Sequence, residues 1–137
     1  MPHDPQRVAD TRAWILHARD DLRAAEIDLT AQPGLLGDAA CHCQQVTEKS
    51  LRAFLAWYDV PIRRTHDLTE LGQQCVALDT SLESVCRSAE ALTPFAWVFR
   101  YPGDTAEPTR EEVDGALALA RAEYEAVVAR VPGETRA

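Results

Sequence analysis

The sequence predicts an all-α fold, an up-down antiparallel four-helix bundle with one broken helix. Three observations carry that expectation. Apolar residues recur at steps of three and four over long stretches, the spacing of one helix face. The turn-formers Pro33-Gly34, Pro61 and Pro132-Gly133 fall at the ends of those stretches. No segment alternates apolar and polar residues over a useful length, and no Asn-Gly hairpin signal occurs.

The first helix is expected from about Val8 to Ala31, with Trp14, Ala18, Leu22, Ala25 and Leu29 on one face and Arg12, Arg19, Arg23 and Glu26 in solvent. The second runs from about Leu36 to Asp59. Its Cys43, Thr47, Ser50 or Leu51, Phe54 and Tyr58 form one stripe, and Val46, Ala53 and Trp57 a neighbouring one, so it should be buried on more than one side. Pro61 ends it. A short helix then starts near Asp67, capped by Asp67 or Thr65, with Leu68, Leu71, Cys75 and Leu78 inward. Thr80 to Glu83 has capping-box spacing and restarts a helix that Pro94 interrupts. After the aromatic knot of Phe95, Trp97 and Phe99, a loop is expected between Pro102 and Pro108. The last helix opens on a second capping box, Thr109 to Glu112, and sets Val113, Leu117, Ala120, Tyr124, Val127 and Val131 in four-three alternation. One domain, residues 8–131, is therefore expected, with flexible termini at 1–7 and 132–137.

At 137 residues, 46% hydrophobic, the chain suffices for one domain and not for two. Asp plus Glu total 22 against 14 Lys plus Arg, a formal charge of -8 that argues against coating nucleic acid by bulk electrostatics. A local basic patch stays open. Four cysteines without C-x-x-C spacing read as reduced thiols, the N-terminus lacks the apolar centre of a signal peptide, and no apolar run is long enough to span a membrane. A soluble, cytoplasmic protein is expected.

Polar chemistry concentrates between Ala39 and Leu71. His66 follows Arg63 and Arg64 just before a helix N-terminus, which makes the trio a candidate anion site, since arginine forks fit phosphate oxygens and the helix end adds partial positive charge. The alternative is that His66 caps that helix or stacks on Tyr58 while the arginines pair with surface acids. Gln44, Gln45, Glu48 and Lys49 either make intrahelical pairs or line a polar cleft with His42, facing Asp20 or Asp21, with Lys49 the group best suited to touch a phosphate. Cys41, His42 and Cys43 are metal-ligand types, but neighbours on a helix point about 100° apart and cannot close around one ion. No metal and no cofactor are expected.

The order of these signals resembles a known family. W-x-x-x-A-x-x-D-L-x-x-A (Trp14 to Ala25) is followed by C-H-C-Q-Q-V-T-E-K-S-L-R-A-F-L (Cys41 to Leu55), P-I-R-R-T-H-D-L-T-E-L (Pro61 to Leu71), R-Y-P (Arg100 to Pro102) and an amphipathic last helix. Together they resemble the HEPN domain, a helical module of prokaryotic toxin–antitoxin pairs. The resemblance implies a bundle that commonly homodimerises and often pairs with a small nucleotidyltransferase-like protein. Many members are metal-independent ribonucleases with an Arg, four to six residues, then a His near the start of the last conserved helix. It also retains Arg100 and Tyr101 as site candidates.

This chain departs from the ribonuclease pattern, because no histidine follows Arg100. The one literal match, Arg12 to His17, separates the two side chains by roughly 140° around a helix. The expected function is thus a non-catalytic or weakly catalytic protein that binds a nucleotide, RNA or a nucleotidyltransferase-like partner. The alternative is a metal-independent ribonuclease toxin with a divergent site, in which His66 is acid or base and arginine stabilises developing phosphorane charge.

Overall fold

The computed structural model describes residues 2–65, 67–96, 98 and 107–136. They form five α-helices: α1 (Pro5–Thr30), α2 (Leu36–Trp57), α3 (Leu68–Leu78), α4 (Glu83–Ala89) and α5 (Arg110–Val128). Tight 3-10 turns cover Thr80–Leu82, Glu90–Ala96 and Gly133–Thr135, and the described residues contain no strand. The fold is all-α. Among the described residues, no helix is long and apolar enough to cross a membrane.

Local chemistry sets most of the ends. Asp4 caps α1, its carboxylate accepting from the Gln6 N–H, with Pro5 at the first helical position where a missing N–H costs nothing. Asp67 caps α3 through Thr69 N–H at 3.0 Å. At α5 both halves of the Thr109–Glu112 capping box form. The restart before α4 is capped differently from the expected Thr80 box: Asp79 accepts from the Ser81 N–H and hydroxyl. α2 stops before Pro61, because Asp59 takes a left-handed φ of 58° and lets Val60 N–H reach the Leu55 carbonyl and Asp59 N–H the Ala56 carbonyl. Those are the two hydrogen bonds of a Schellman termination, and Asp is among the few non-glycine residues that tolerate that conformation.

α2 is the central element. It packs against α1, α3, α5 and the Glu90–Ala96 turn, as its two apolar stripes require. Phe54 and Leu51 of α2 are fully buried with Leu68 and Leu71 of α3, Leu82, and Val113 and Val127 of α5. Each such side chain stabilises the fold by roughly 1.5–3 kcal/mol. α1 and α2 are antiparallel: Asp28, Asp21 and Trp14 along α1 meet Asp38, then His42 and Lys49, then Arg52 along α2.

The break near Ser81 reverses the chain. α3 lies back on α4, with Gly72 against Cys86 and the Leu68 N–H donating to the Thr93 hydroxyl at 3.1 Å. Five helices therefore stand among the described residues, and the expected break near Ser81 falls between α3 and α4. Pro94 sits inside the Glu90–Ala96 turn, its carbonyl accepting from Val98 N–H. At the termini, the His3 ring stands edge-on to Trp57 with centroids 4.8 Å apart, and Thr135 is fully buried.

Candidate functional site

Polar side chains of α1 and α2 meet where the two helices pack. Asp21 of α1, with only 12% of its side chain exposed, is a hub among them. Its Oδ2 accepts from the Lys49 ammonium at 2.5 Å, and its Oδ1 lies 2.8 Å from His42 Nδ1. Burial by itself raises the Asp21 carboxyl, but the hydrogen bonds to His42 and Lys49 outweigh it and hold the group below the ordinary aspartate value. His42 is raised in turn, chiefly by its bond to Asp21 and against the opposing effect of its own burial.

Toward the α1–α2 connection lie Asp28 and Asp38. His42 Nε2 is 3.4 Å from Asp38 Oδ2, and the carboxyls of Asp28 and Asp38 face one another. Burial, then the facing Asp38, push Asp28 up to about 6, with His42 partly opposing. In the other direction lie Gln44 and Gln45. The Gln45 amide donates to Gln44 Oε1 at 2.6 Å, and the fully buried Gln44 donates to Glu48 Oε1 at 3.3 Å. Arg52 completes the series, with Nε 3.5 Å from Glu48 Oε2 and its guanidinium carbon 5.8 Å from the centre of the Trp14 ring.

Arg52 also organises the connection from α2 to α3. It donates from Nη1 to the Arg63 carbonyl at 3.1 Å and from Nη2 to the Thr65 carbonyl at 2.6 Å. The five-donor fork of a guanidinium suits a turn whose carbonyls lack helical partners. Arg63 is exposed and pairs with Glu70 at 3.0 Å, and Arg64 is exposed. His66, Arg100 and Tyr101 lie outside the described residues.

The structure thus brings Asp21, His42 and Lys49 into one network and places Gln45 and Glu48 in a second one, with Gln44 and Arg52, along α2. It keeps Arg63 and Arg64 apart from the first network, on the outer side of the backbone that Arg52 holds from within. Lys49 turns inward to Asp21 rather than pairing with Gln45 along its own helix. The adjacent Cys41, His42 and Cys43 diverge: Cys43 is buried, with its thiol pushed up to about 12 by burial, while His42 points to Asp21. All four cysteines are free thiols.

Sequence reading passed over Asp28, Asp38, Arg52 and Glu123. For the first two a signal existed, because Asp28 lies seven residues, or two turns, from Asp21, and Asp38 lies one turn before His42. Glu123 of α5 is fully buried beside Cys86, whose thiol donates to Oε1 at 3.4 Å, and Oε2 has no hydrogen-bond partner. Burial pushes Glu123 up to about 7, against the lowering effects of Cys86 and Arg130.

A comparison with protein-family models matches the HEPN domain over residues 11–131. Searches of curated proteins and of solved structures returned no match. The match spans most of the chain, from the first buried turn of α1 to the residues that follow α5, and on that ground the chain belongs to the HEPN domain family.

Proposed function

We propose that this HEPN chain is a non-catalytic binding protein that acts as a homodimer in the cytoplasm and engages a nucleotidyltransferase-like protein, as one half of a paired system of the toxin–antitoxin kind. One observation carries the reading: the cations where α1 and α2 pack are committed to their own fold. Lys49 is held by Asp21, and Arg52 by Glu48 and two backbone carbonyls, so neither is free to clamp a scissile phosphate. The missing histidine after Arg100 and the charge of -8 point the same way, since an acidic surface attracts a basic protein more readily than RNA.

The apolar residues Tyr58 and Ile62 are exposed where α2 ends, beside a shallow groove lined by Asp10, Trp14 and Val60. That combination of an apolar patch with an acidic rim suits a protein contact. Co-expression with a nucleotidyltransferase-like protein from the neighbouring reading frame tests it. The two should co-elute, and Ile62→Asp should abolish co-elution without moving the thermal midpoint. No such neighbour, or co-elution unaffected by Ile62→Asp, would count against the proposal.

Nucleotide binding is the second reading, supported by the exposed Arg63 and Arg64 one turn before α3. A rise in thermal midpoint with a nucleoside triphosphate, lost in Arg64→Ala, would favour it.

A further inference from the structure

We propose that Asp28, Asp38 and His42 form a binding site for a divalent first-row transition cation of the zinc type, at the α1–α2 connection. One ligand atom from each of the three lies within 4.8 Å of the others. The His42 Nε2 to Asp38 Oδ2 separation of 3.4 Å is close to the edge of a tetrahedron whose centre sits about 2.05 Å from each ligand, roughly 3.3 Å. One imidazole and two carboxylates favour zinc, cobalt or manganese over calcium or magnesium, which prefer all-oxygen shells.

A second observation is independent of that clustering. Asp28 is only 9% exposed, and its Oδ2 is buried with no hydrogen-bond partner. An orphaned carboxylate oxygen costs a fold more than almost any other polar atom, and the Asp28 carboxyl also meets that of Asp38, a contact that holds only with a shared proton or a cation. A cation between the two relieves both faults.

The surroundings orient the histidine for a metal. Ionised Asp21 only accepts hydrogen bonds, so His42 Nδ1, 2.8 Å away, donates to it, and the ring thereby turns Nε2 toward Asp38 as the atom a cation would take in place of a proton. This is the carboxylate–histidine–metal arrangement in which the outer acid orients the ring. Lys49 offsets the charge of Asp21, leaving Asp28 and Asp38 as the carboxyl groups turned toward a cation. With its side chain 60% exposed, Asp38 leaves the site open to solvent, giving the ion an entry path and a water as fourth ligand. The site stands apart from Cys41 and Cys43 and needs no thiolate.

Calorimetric titration of the untagged chain with Zn2+, together with visible absorption on adding Co2+, tests this assignment. One ion per chain is expected, with the intense visible bands of tetrahedral cobalt. Asp38→Asn and His42→Gln should each weaken binding at least tenfold, Asp21→Asn by about 10–100-fold through the lost ring orientation, and Cys41→Ser not at all. The exposed Asp38 makes Asp38→Asn the variant whose metal-free thermal midpoint should stay near the parent's. Binding unaltered by Asp38→Asn and His42→Gln, binding lost in Cys41→Ser, or no binding at micromolar Zn2+ would each overturn the proposal.

Discussion

Arg52 of α2 donates to the carbonyl oxygen of Thr65 at 2.6 Å, tying the connection between α2 and α3 to the centre of the fold. A second bond to the Arg63 carbonyl and the pair with Glu48 make one guanidinium the common anchor of three groups. Replacing it with Met keeps the apolar stem but leaves two carbonyls and a buried carboxylate without it. Arg52→Met should lower stability by roughly 3 kcal/mol. Hydrogen exchange should rise first between residues 61 and 67, and uniform protection there would show that Arg52 is not the anchor.

Asp21 holds both Lys49 and His42, so its amide replacement should cost more than a surface ion pair would. Asp21→Asn should destabilise by roughly 2–3 kcal/mol, since it leaves Lys49, 22% exposed, beside a neutral partner. Asp20→Asn, one residue away and exposed, should fall within about 0.5 kcal/mol of the parent in urea unfolding.

Two helical glycines should respond to alanine with opposite signs. A Cβ on Gly72 would stand 3.2 Å from the Cβ of Cys86, which no rotamer change can move, so the helix gain of about 1 kcal/mol is exceeded by overpacking between α3 and α4. Gly72→Ala should lower the thermal midpoint. Gly115 in α5 has nothing within 4 Å of the same position, and Gly115→Ala should add about 0.5–1 kcal/mol.

Glu123 should make stability fall as pH rises. With its folded value raised to about 7 from an ordinary 4.5, the folded state holds a proton that the unfolded chain has lost. Below about 4.5 both states are protonated and the group contributes no difference; between 4.5 and 7 the fold weakens, by roughly 3 kcal/mol in all; above 7 the loss is complete. Chemical denaturation from pH 5 to 8 reads this directly. Glu123→Gln should flatten the profile over that window, and an unchanged slope would assign it to other groups.

These relationships differ in how far the sequence disclosed them. The stripes of α2 read correctly as burial on several sides, because Phe54, Leu51 and Val46 carry the period plainly. In α5 the expected seam ran through Leu117 and Tyr124, which are half-buried, whereas the buried line is Val113, Ala116, Ala120, Glu123 and Val127. Val113, Ala120 and Val127 belong to both, and a small alanine and a charged glutamate concealed the shift of the rest. Periodicity marks the apolar side of a helix and is silent about an acid buried at its edge. The same silence hid Asp28 on α1 and the inward turn of Lys49, since a lysine four residues after a glutamine reads first as a surface pair. Asp59 ended α2 by a left-handed turn that has no unambiguous sequence mark when glycine is absent.

The proposal that this HEPN chain binds without cutting is tested most directly by incubating the purified protein with mixed RNA in the presence of a chelator. Fragment release should be no faster than in buffer alone, and the same is expected of His66→Ala and Arg64→Ala. Cleavage by the parent protein that disappears in His66→Ala would contradict the proposal.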